Sequence, residues 1–242
     1  MSAPVLEFAA VSAGYGAMTV LDGVTLALGA DEVLAVLGAN GSGKSTVLKT
    51  AMGLTQLVDG EIRFAGEAVT ALPAHRRAAM GMGYVPQTRN VFEALTVAEN
   101  LRMGGYLHGG GARSDLDSVF DLFPRLKERR RAQAGALSGG ERRMLSIGLT
   151  LLMRPRLLLL DEPSSDLAPA MVGQVFEAIA RIRRELGIPV LLVEQNVRMA
   201  MTLAERVCVM VRGRPALDVA AAALDLGHLS ALFVDGGVRA SG

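Results

Sequence analysis

Residues 33–46 read Val-Leu-Ala-Val-Leu-Gly-Ala-Asn-Gly-Ser-Gly-Lys-Ser-Thr. Their first five residues are an apolar run typical of a buried strand, and residues 46–52 can continue as a helix. Between strand and helix, residues 38–46 match the pattern G-x-x-x-x-G-K-S/T of a phosphate-binding loop. A strand, a glycine-rich turn and a helix in this order direct several backbone N–H groups, and the positive end of the helix dipole, at one point. This stretch therefore predicts that the chain binds a nucleoside triphosphate.

Two polar residues of this loop have specific expected roles. Lys44 would reach the β- and γ-phosphates, and the Ser45 hydroxyl would bind magnesium. We therefore expect ATP and Mg²⁺ as the ligands of this loop. Its expected nucleotide-binding residues are Gly38, Ala39, Asn40, Gly41, Ser42, Gly43, Lys44, Ser45 and Thr46. An ordinary flexible glycine turn is the alternative, and the flanking strand and helix argue against it.

Composition limits the class of protein. The chain has 242 residues, half of them hydrophobic, which is enough for a large core. No apolar stretch approaches the roughly 18 to 20 residues of a membrane span, and residues 1–7 lack the pattern of a signal peptide. The lone Cys208 cannot form an internal disulfide. These features predict a cytoplasmic protein, and the net charge of +1 argues against a nucleic-acid partner.

The order of patterns along the chain predicts an α/β fold. Strand patterns dominate up to about residue 66, helical patterns run from about 73 to 154, and strands and helices alternate after Pro155. We expect a P-loop NTPase core with a mainly parallel sheet, an N-terminal antiparallel β subdomain and a helical insertion. The expected core comprises about 1–86 and 155–214, and the helical subdomain about 87–154. Residues 215–242 form an Ala-rich, weakly patterned tail.

Two carboxylates follow the four leucines of residues 157–160. Ligands collect beyond the carboxyl ends of parallel strands, so we expect Asp161 and Glu162 to emerge beside the phosphate loop. Asp161 would hold magnesium, and Glu162 would accept the proton of an attacking water. The alternative is that the two acids cap a helix before Pro163.

Residues 137–141, Leu-Ser-Gly-Gly-Glu, open another predicted helix. Ser138 and Glu141 have the spacing of a capping box. Gly139 and Gly140 go beyond what capping needs, because glycine destabilises a helix. Without side chains, they allow a ligand to come close to the backbone, and a phosphate bound at the helix N-terminus fits that geometry.

Together these segments resemble the nucleotide-binding subunit of ABC transporters, from about Leu6 to Gly213. Residues 137–141 match the signature sequence of that family. The resemblance implies that Tyr15 stacks on adenine, although a half-buried strand tyrosine is the alternative. It implies that Gln87 touches magnesium and senses a membrane partner. It also implies that residues 164–167, which include Asp166, cross a dimer interface.

The resemblance further implies a head-to-tail pair of ATP-binding subunits. Ser138, Gly139, Gly140 and Glu141 of one chain would then act on the ATP bound to the other chain.

Gln195 departs from the family pattern. Where most of these ATPases carry a histidine beside the γ-phosphate, residues 193–196 read Val-Glu-Gln-Asn. A glutamine can donate an amide N–H to phosphate but cannot become cationic. The alternative is that Gln195 is only a polar residue after a strand. The candidate catalytic residues are therefore Lys44, Gln87, Glu162 and Gln195.

Three segments resemble one branch of the family: residues 123–126, 167–169 and 193–196. That branch holds the second ATP-binding subunit of importers for branched-chain and other hydrophobic amino acids. Importers of urea and short amides have similar subunits, and members of the amino-acid branch can carry glutamate where this chain has Gln87.

This resemblance implies an ATP-hydrolysing motor on the inner face of the cell membrane. Its expected partners are two transmembrane permease subunits, a paralogous or identical ATP-binding subunit and, indirectly, an extracytoplasmic solute-binding protein.

Two other classes of protein also remain compatible with the sequence. A soluble ABC ATPase acting on nucleic acid or the ribosome often carries two cassettes or long coiled-coil insertions, which this sequence lacks. A non-hydrolytic, ATP-gated subunit is disfavoured by Glu162 and by residues 137–141, whereas Gln195 keeps it open.

Two surface segments have competing interpretations. Residues 127–131, Lys-Glu-Arg-Arg-Arg, could bind anionic lipid or form a solvated helix face. Residues 88–92 could receive a helix of the membrane partner, or form a loop with Phe92 tucked into the helical insertion.

Overall fold

The computed structural model describes residues 3–88, 91–105, 113–225 and 227, excluding the side chains of residues 113 and 114. The chain divides into two compact units. One unit comprises Met1–Met80 and Pro189–Gly242, and the other comprises Gly81–Ile188.

The first unit is built mainly from strands. Its elements are β1 (Leu6–Tyr15), β2 (Met18–Leu28), β3 (Val33–Leu37), α1 (Lys44–Ala51), β4 (Gln56–Phe64), β5 (Glu67–Ala68), α2 (Ala74–Ala79), β8 (Val190–Glu194), α8 (Val197–Ala200), β9 (Arg206–Val211), β10 (Arg214–Ala220) and a 3-10 turn at Ala221–Ala223. β1, β2, β4 and β5 form an antiparallel sheet in the order β2-β1-β4-β5. This is the predicted N-terminal antiparallel subdomain.

The mainly parallel strands of this unit lie in the order β10-β9-β3-β8. Every residue of β3 and β8 is buried, as expected for strands that read Val-Leu-Ala-Val-Leu and Val-Leu-Leu-Val-Glu. β3 pairs in parallel with β8 and β9, and Leu37 lies opposite Glu194. Because both strands end at this level, the segments after Leu37 and Glu194 emerge at the same edge of the sheet.

The second unit combines a strand pair with helices. Its elements are β6 (Met82–Val85), α3 (Val97–Gly104), α4 (Arg113–Leu122), α5 (Pro124–Glu128), a 3-10 turn at Ala134–Ala136, α6 (Gly139–Leu151), β7 (Leu157–Asp161) and α7 (Pro169–Leu186). β6 and β7 pair in parallel, with Val85 opposite Leu160. The segments that carry Gln87 and Glu162 therefore leave neighbouring strands at one edge.

The predicted fold class is confirmed, because antiparallel β, parallel β and helices occupy the expected parts of the sequence. The subdivision at residues 87–154 stays a prediction. The weak pattern of the tail did not predict a strand, but β10 begins at Arg214 and pairs antiparallel with β9. Its side chains alternate between exposed and half-buried, which is the weak pattern of an edge strand. In the described part of the chain, no helix is both long and apolar enough to span a membrane.

Candidate nucleotide-binding site

The phosphate loop connects β3 to α1 through glycines that other residues cannot easily replace. Gly41 and Gly43 have φ angles of 76° and 99°, in the left-handed region that glycine adopts without strain. A Cβ on Gly38 would lie 2.5 Å from both the Met210 carbonyl oxygen and Ser42 Oγ. The loop therefore folds tightly enough to expose its backbone N–H groups at the start of α1.

The polar side chains of this loop fit a polyphosphate. Lys44 is 4 % exposed, and its Nζ donates to the Ala39 carbonyl at 3.0 Å, so its ammonium group is held against the loop. The Ser42 hydroxyl is buried and has no hydrogen-bond partner among the described residues. Such an orphaned polar atom beside the N-terminus of a helix suits an anionic oxygen.

A second glycine segment, which sequence analysis missed, anchors the loop. The Gly213 N–H donates to the Ser42 carbonyl at 2.9 Å, and the Gly213 carbonyl accepts from Asp22 N at 3.0 Å. A Cβ on Gly213 would lie 1.9 Å from the Val20 carbonyl oxygen. Only glycine allows this approach to β2. The Val-Arg-Gly turn after the apolar run of β9 was the available signal in the sequence.

Gln195 emerges at the sheet edge that carries the phosphate loop, because Leu37 and Glu194 lie in register. Its side chain is exposed. The buried Glu194 carboxylate accepts from the backbone N–H groups of Gln195 at 3.1 Å and Asn196 at 3.2 Å. Glu194 therefore fixes the backbone at Gln195 and Asn196. The sequence alone did not predict this role for Glu194.

Tyr15 ends β1 and lies opposite Met18 across the hairpin. Its side chain is 41 % exposed, so the ring is accessible to a flat ligand. Stacking on adenine stays a prediction.

In the second unit, the two acids after β7 have different environments. Asp161 is 3 % exposed and accepts a hydrogen bond from the Tyr84 hydroxyl at 3.1 Å. Glu162 is 7 % exposed and has a φ angle of 45°. The next helix, α7, begins only at Pro169, so the helix-capping interpretation of these acids is wrong.

Gln87 bonds both to Glu162, the predicted base, and to Ser165 in the loop that follows Glu162. Its Nε2 donates to Glu162 Oε2 at 3.2 Å and to Ser165 Oγ at 3.3 Å. A cavity of about 240 Å³ opens beside these groups, and Gly139 and Asp166 also line it. The structure thus brings together Gln87, Glu162, Gly139 and Asp166.

Ser138 begins α6 with the predicted capping box. Its backbone N–H donates to Glu141 Oε2 at 2.8 Å, and the Glu141 N–H donates to Ser138 Oγ at 3.3 Å. Partial burial opposes ionisation of Glu141, but the Ser138 hydrogen bonds and nearby arginines outweigh it and hold the pKa of Glu141 below its usual value. A Cβ on Gly140 would lie 2.4 to 3.1 Å from the Met171 side chain, so this glycine also allows α6 to approach α7.

Among the described residues, no cluster of three or more His, Cys, Asp or Glu side chains could hold a metal. In nucleotide sites Mg²⁺ is usually held by one or two protein groups together with phosphate oxygens and water, and its binding by this chain stays a prediction. Ser45, at the second position of α1, and Asp161 supply oxygens of the right type.

A sequence profile of the ABC transporter family matches residues 21–165. The chain belongs to the ABC transporter family. It is 45 % identical over 220 residues to the high-affinity branched-chain amino acid transport ATP-binding protein BraG of Pseudomonas aeruginosa, covering 90 % of this chain and 94 % of that protein. It is 38 % identical over 209 residues to the probable branched-chain amino acid transport ATP-binding protein LivF of Archaeoglobus fulgidus, covering 86 % and 89 %.

Solved ATP-binding cassettes have the same fold. A nucleotide-free cassette from an ABC transporter superposes with a TM-score of 0.81 at 22 % identity, covering 96 % of each chain. A dimeric cassette in a post-hydrolysis state with ADP and phosphate superposes with a TM-score of 0.79 at 21 % identity, covering 89 % of this chain and 98 % of the other. The family profile and the 45 % identity to BraG show that the chain is an ATP-binding cassette ATPase. ATPase subunits of ABC transporters work as dimers with membrane permease components.

Proposed function

We propose that this chain is the ATP-hydrolysing motor subunit of an ABC importer for branched-chain or other hydrophobic amino acids. The 45 % identity to BraG, which extends over 90 % of the chain, carries the solute assignment. The Glu162 carboxylate, buried and bonded to Gln87, carries the hydrolytic assignment.

The phosphate loop holds the triphosphate of ATP. Its backbone N–H groups and the N-terminus of α1 bind the phosphate oxygens, Lys44 compensates their charge, and Tyr15 receives the adenine ring. Bound Mg²⁺ would be held by Ser45, Asp161 and Gln87, and it would neutralise charge on the phosphate oxygens. The fit rests on the buried, unpaired Ser42 hydroxyl and on the glycine-lined loop in the described structure.

Glu162 is the proposed general base. It accepts the proton of the water that attacks the γ-phosphate, and the amide N–H of Gln87 keeps its carboxylate oriented. Gln195 donates an N–H to the γ-phosphate without adding a charge. In a head-to-tail dimer, residues 138–141 of one chain present N–H groups to the nucleotide of the other, and the loop with Asp166 crosses the interface.

The proposed partners are two transmembrane permease subunits, a paralogous or identical ATPase and, indirectly, an extracytoplasmic solute-binding protein. This arrangement puts the chain on the inner face of the cell membrane.

Phe92 is our candidate contact with a permease subunit. Its side chain is 53 % exposed, so the interpretation that it is tucked into the helical insertion is wrong. Its backbone is fixed by Asn100, whose Oδ1 accepts from Phe92 N at 2.7 Å and whose Nδ2 donates to Phe92 O at 2.9 Å. An aromatic ring held outward on a fixed backbone suits an anchor in a protein interface. Arg89 and Asn90, which belong to the same predicted segment, lie outside the described residues.

A pull-down from gently solubilised native membranes tests this function. The bait is Glu162→Gln with Mg-ATP, which we expect to hold the ATP-bound dimer, and the control is the same bait without nucleotide. We expect two multi-span proteins and an ATP-binding subunit to be recovered. Recovery of only soluble proteins or ribosomes would overturn the transport assignment and leave the ATPase chemistry intact.

The solute is tested with the recovered complex in proteoliposomes, rebuilt with the wild-type chain and supplied with its solute-binding protein. We expect ATP-dependent uptake of radiolabelled leucine that exceeds uptake of urea. Uptake of urea or a short amide instead would move the chain to the neighbouring branch of importers.

A further inference from the structure

Arg143 is a buried cation in the middle of the second unit. It lies on α6, five positions after Ser138, and is 6 % exposed. Burying a guanidinium group is costly unless its N–H groups find acceptors. The hydrogen bonds that compensate this cost therefore indicate what the side chain holds in place.

Those hydrogen bonds run to backbone carbonyls in two other segments. Nη1 donates to the Pro86 carbonyl at 2.8 Å, and Nη2 donates to the Gln87 carbonyl at 2.8 Å. Nη2 also donates to the Glu162 carbonyl at 3.4 Å. A planar guanidinium with five donors can serve several carbonyls at once, and a charged donor strengthens each bond.

The Glu162 backbone needs such support. Its φ angle of 45° lies in the left-handed region, which is unfavourable for a residue with a side chain. Its carbonyl accepts from Ser165 N at 3.1 Å, in the loop that follows, and from Arg143. Arg143 therefore contributes a bond from outside this loop to the conformation that sets the direction of the Glu162 carboxylate.

The same guanidinium fixes the backbone of Gln87, whose side chain bonds that carboxylate. Gln87 and Glu162 are thus tied to each other through their side chains and to α6 through Arg143. This one side chain thus connects three segments of the proposed site: α6, the segment after β6 that carries Gln87, and the segment after β7 that carries Glu162.

We propose that Arg143 is a positioning residue for ATP hydrolysis, which fixes the backbones of Gln87 and Glu162 against α6 and so aligns the Glu162 carboxylate for proton transfer. This inference rests on the proposed role of Glu162 as the base. It assigns Arg143 no contact with ATP.

The test compares kinetics of the assembled complex carrying wild-type, Arg143→Gln or Arg143→Lys subunits. We expect Arg143→Gln to lower kcat about 10- to 100-fold, as for other misplaced catalytic groups, with KM for ATP changed less than about twofold. We expect KM to be spared because the hydrogen bonds of Arg143 go to the backbone carbonyls of Pro86, Gln87 and Glu162, which hold the base and not the nucleotide. Arg143→Lys should recover part of kcat, since an ammonium group can serve one or two of the three carbonyls.

Arg181→Gln is the matched control. Arg181 also donates to two backbone carbonyls of its own unit, those of Asp121 and Leu122, and its side chain pairs with Glu185, so these bonds go to residues outside the proposed site. It should lower the thermal midpoint and leave kcat per folded molecule unchanged. Arg143→Gln that lowers the thermal midpoint with kcat intact would overturn the inference.

A double-variant cycle separates positioning from a general effect on the fold. If Arg143 acts through Glu162, adding Arg143→Gln to Glu162→Gln should change the single-turnover rate by less than about twofold. If the two rate losses multiply, Arg143 acts independently of the base and the inference is wrong. Leucine uptake is scored separately, so a complex that transports another solute would overturn the solute assignment and leave this kinetic comparison valid.

Discussion

The side-chain amide of Gln87 donates a hydrogen bond to the carboxylate of Glu162, with 3.2 Å between Nε2 and Oε2. This hydrogen bond fixes the direction of a carboxylate oxygen, and a general base must be held within reach of the proton that it takes. The residue expected to sense the membrane partner is therefore bonded to the residue expected to activate water. A movement of the Gln87 loop would act directly on the orientation of the base.

Replacing Glu162 by glutamine tests this assignment. The change keeps the shape of the side chain but removes its ability to take a proton. We expect nucleotide binding to persist and the hydrolysis rate to fall about 10²- to 10⁴-fold. Nucleotide binding and phosphate release measure the two properties. Glu128→Gln is the control, because Glu128 is an exposed glutamate paired with Arg125 in the same unit. Near-normal turnover in Glu162→Gln would remove Glu162 from the mechanism.

Gly140 lies against Met171, so variants of these two residues can test whether Gly140 serves only helix packing or also binds the partner's nucleotide. We expect Gly140→Ala to lower the thermal midpoint, since its Cβ would clash with Met171. Adding Met171→Ala should restore part of the midpoint, because it removes the Met171 Cε and Cγ but leaves its Cβ 2.9 Å away. If Gly140 also presents its backbone to the partner's nucleotide, ATP-driven dimerisation should stay impaired in the double variant, as sedimentation would measure. Full recovery of dimerisation would make Gly140 a packing residue alone.

The predictable part of this molecule consists of local patterns. Residues 33–46 predict a strand, loop and helix because the chemistry of phosphate binding demands those residue types at those positions. The Ser138–Glu141 capping box is predictable for the same reason, since both partners lie within four residues.

The unpredicted part depends on contacts that are distant in sequence. Gly213 supports the phosphate loop from far along the chain, and Arg143 reaches carbonyls at positions 86, 87 and 162. Backbone carbonyls carry no residue signature, so no motif could indicate these acceptors. The sequence signal at Arg143 is limited to its place next to apolar residues of the predicted helix, which indicates burial but not the acceptors.

Replacing Phe92 tests the candidate permease contact. Phe92→Ala removes an exposed ring, so the isolated subunit should keep its fold and nucleotide binding. Its affinity for the permease subunits should weaken about thirtyfold, the usual effect of losing an interface anchor (about 2 kcal/mol). Leu186→Ala is the control, because Leu186 is 49 % exposed at the end of α7. Unchanged assembly and full coupling of ATP hydrolysis to uptake would count against docking at Phe92.

Cys208 makes the stability of the first unit pH-dependent at alkaline pH. Burial, with a contribution from Asp218, raises the pKa of its thiol to about 12. The unfolded chain releases this proton near pH 8.5, so the folded protein binds more protons than the unfolded chain between about 8.5 and 12. The free energy of unfolding should therefore fall as pH rises through this range.

Urea unfolding of the wild type and Cys208→Ala at pH 8, 9 and 10 isolates this contribution. The difference in unfolding free energy between them should shrink by about 1 kcal/mol from pH 9 to 10. A difference that is constant with pH would show that the thiol ionises equally in both states.

Gln195→His tests whether position 195 faces the γ-phosphate. Glutamine does not titrate, so the wild-type rate should show no inflection from this side chain near pH 6.5, the usual pKa of histidine. A histidine beside the phosphate would gain charge below its pKa, so the variant should acquire a new inflection in kcat against pH. Met199→His, placed on the α8 segment that follows, is the control and should add none. A Gln195→His profile identical to wild type would mean that this side chain does not reach the phosphate.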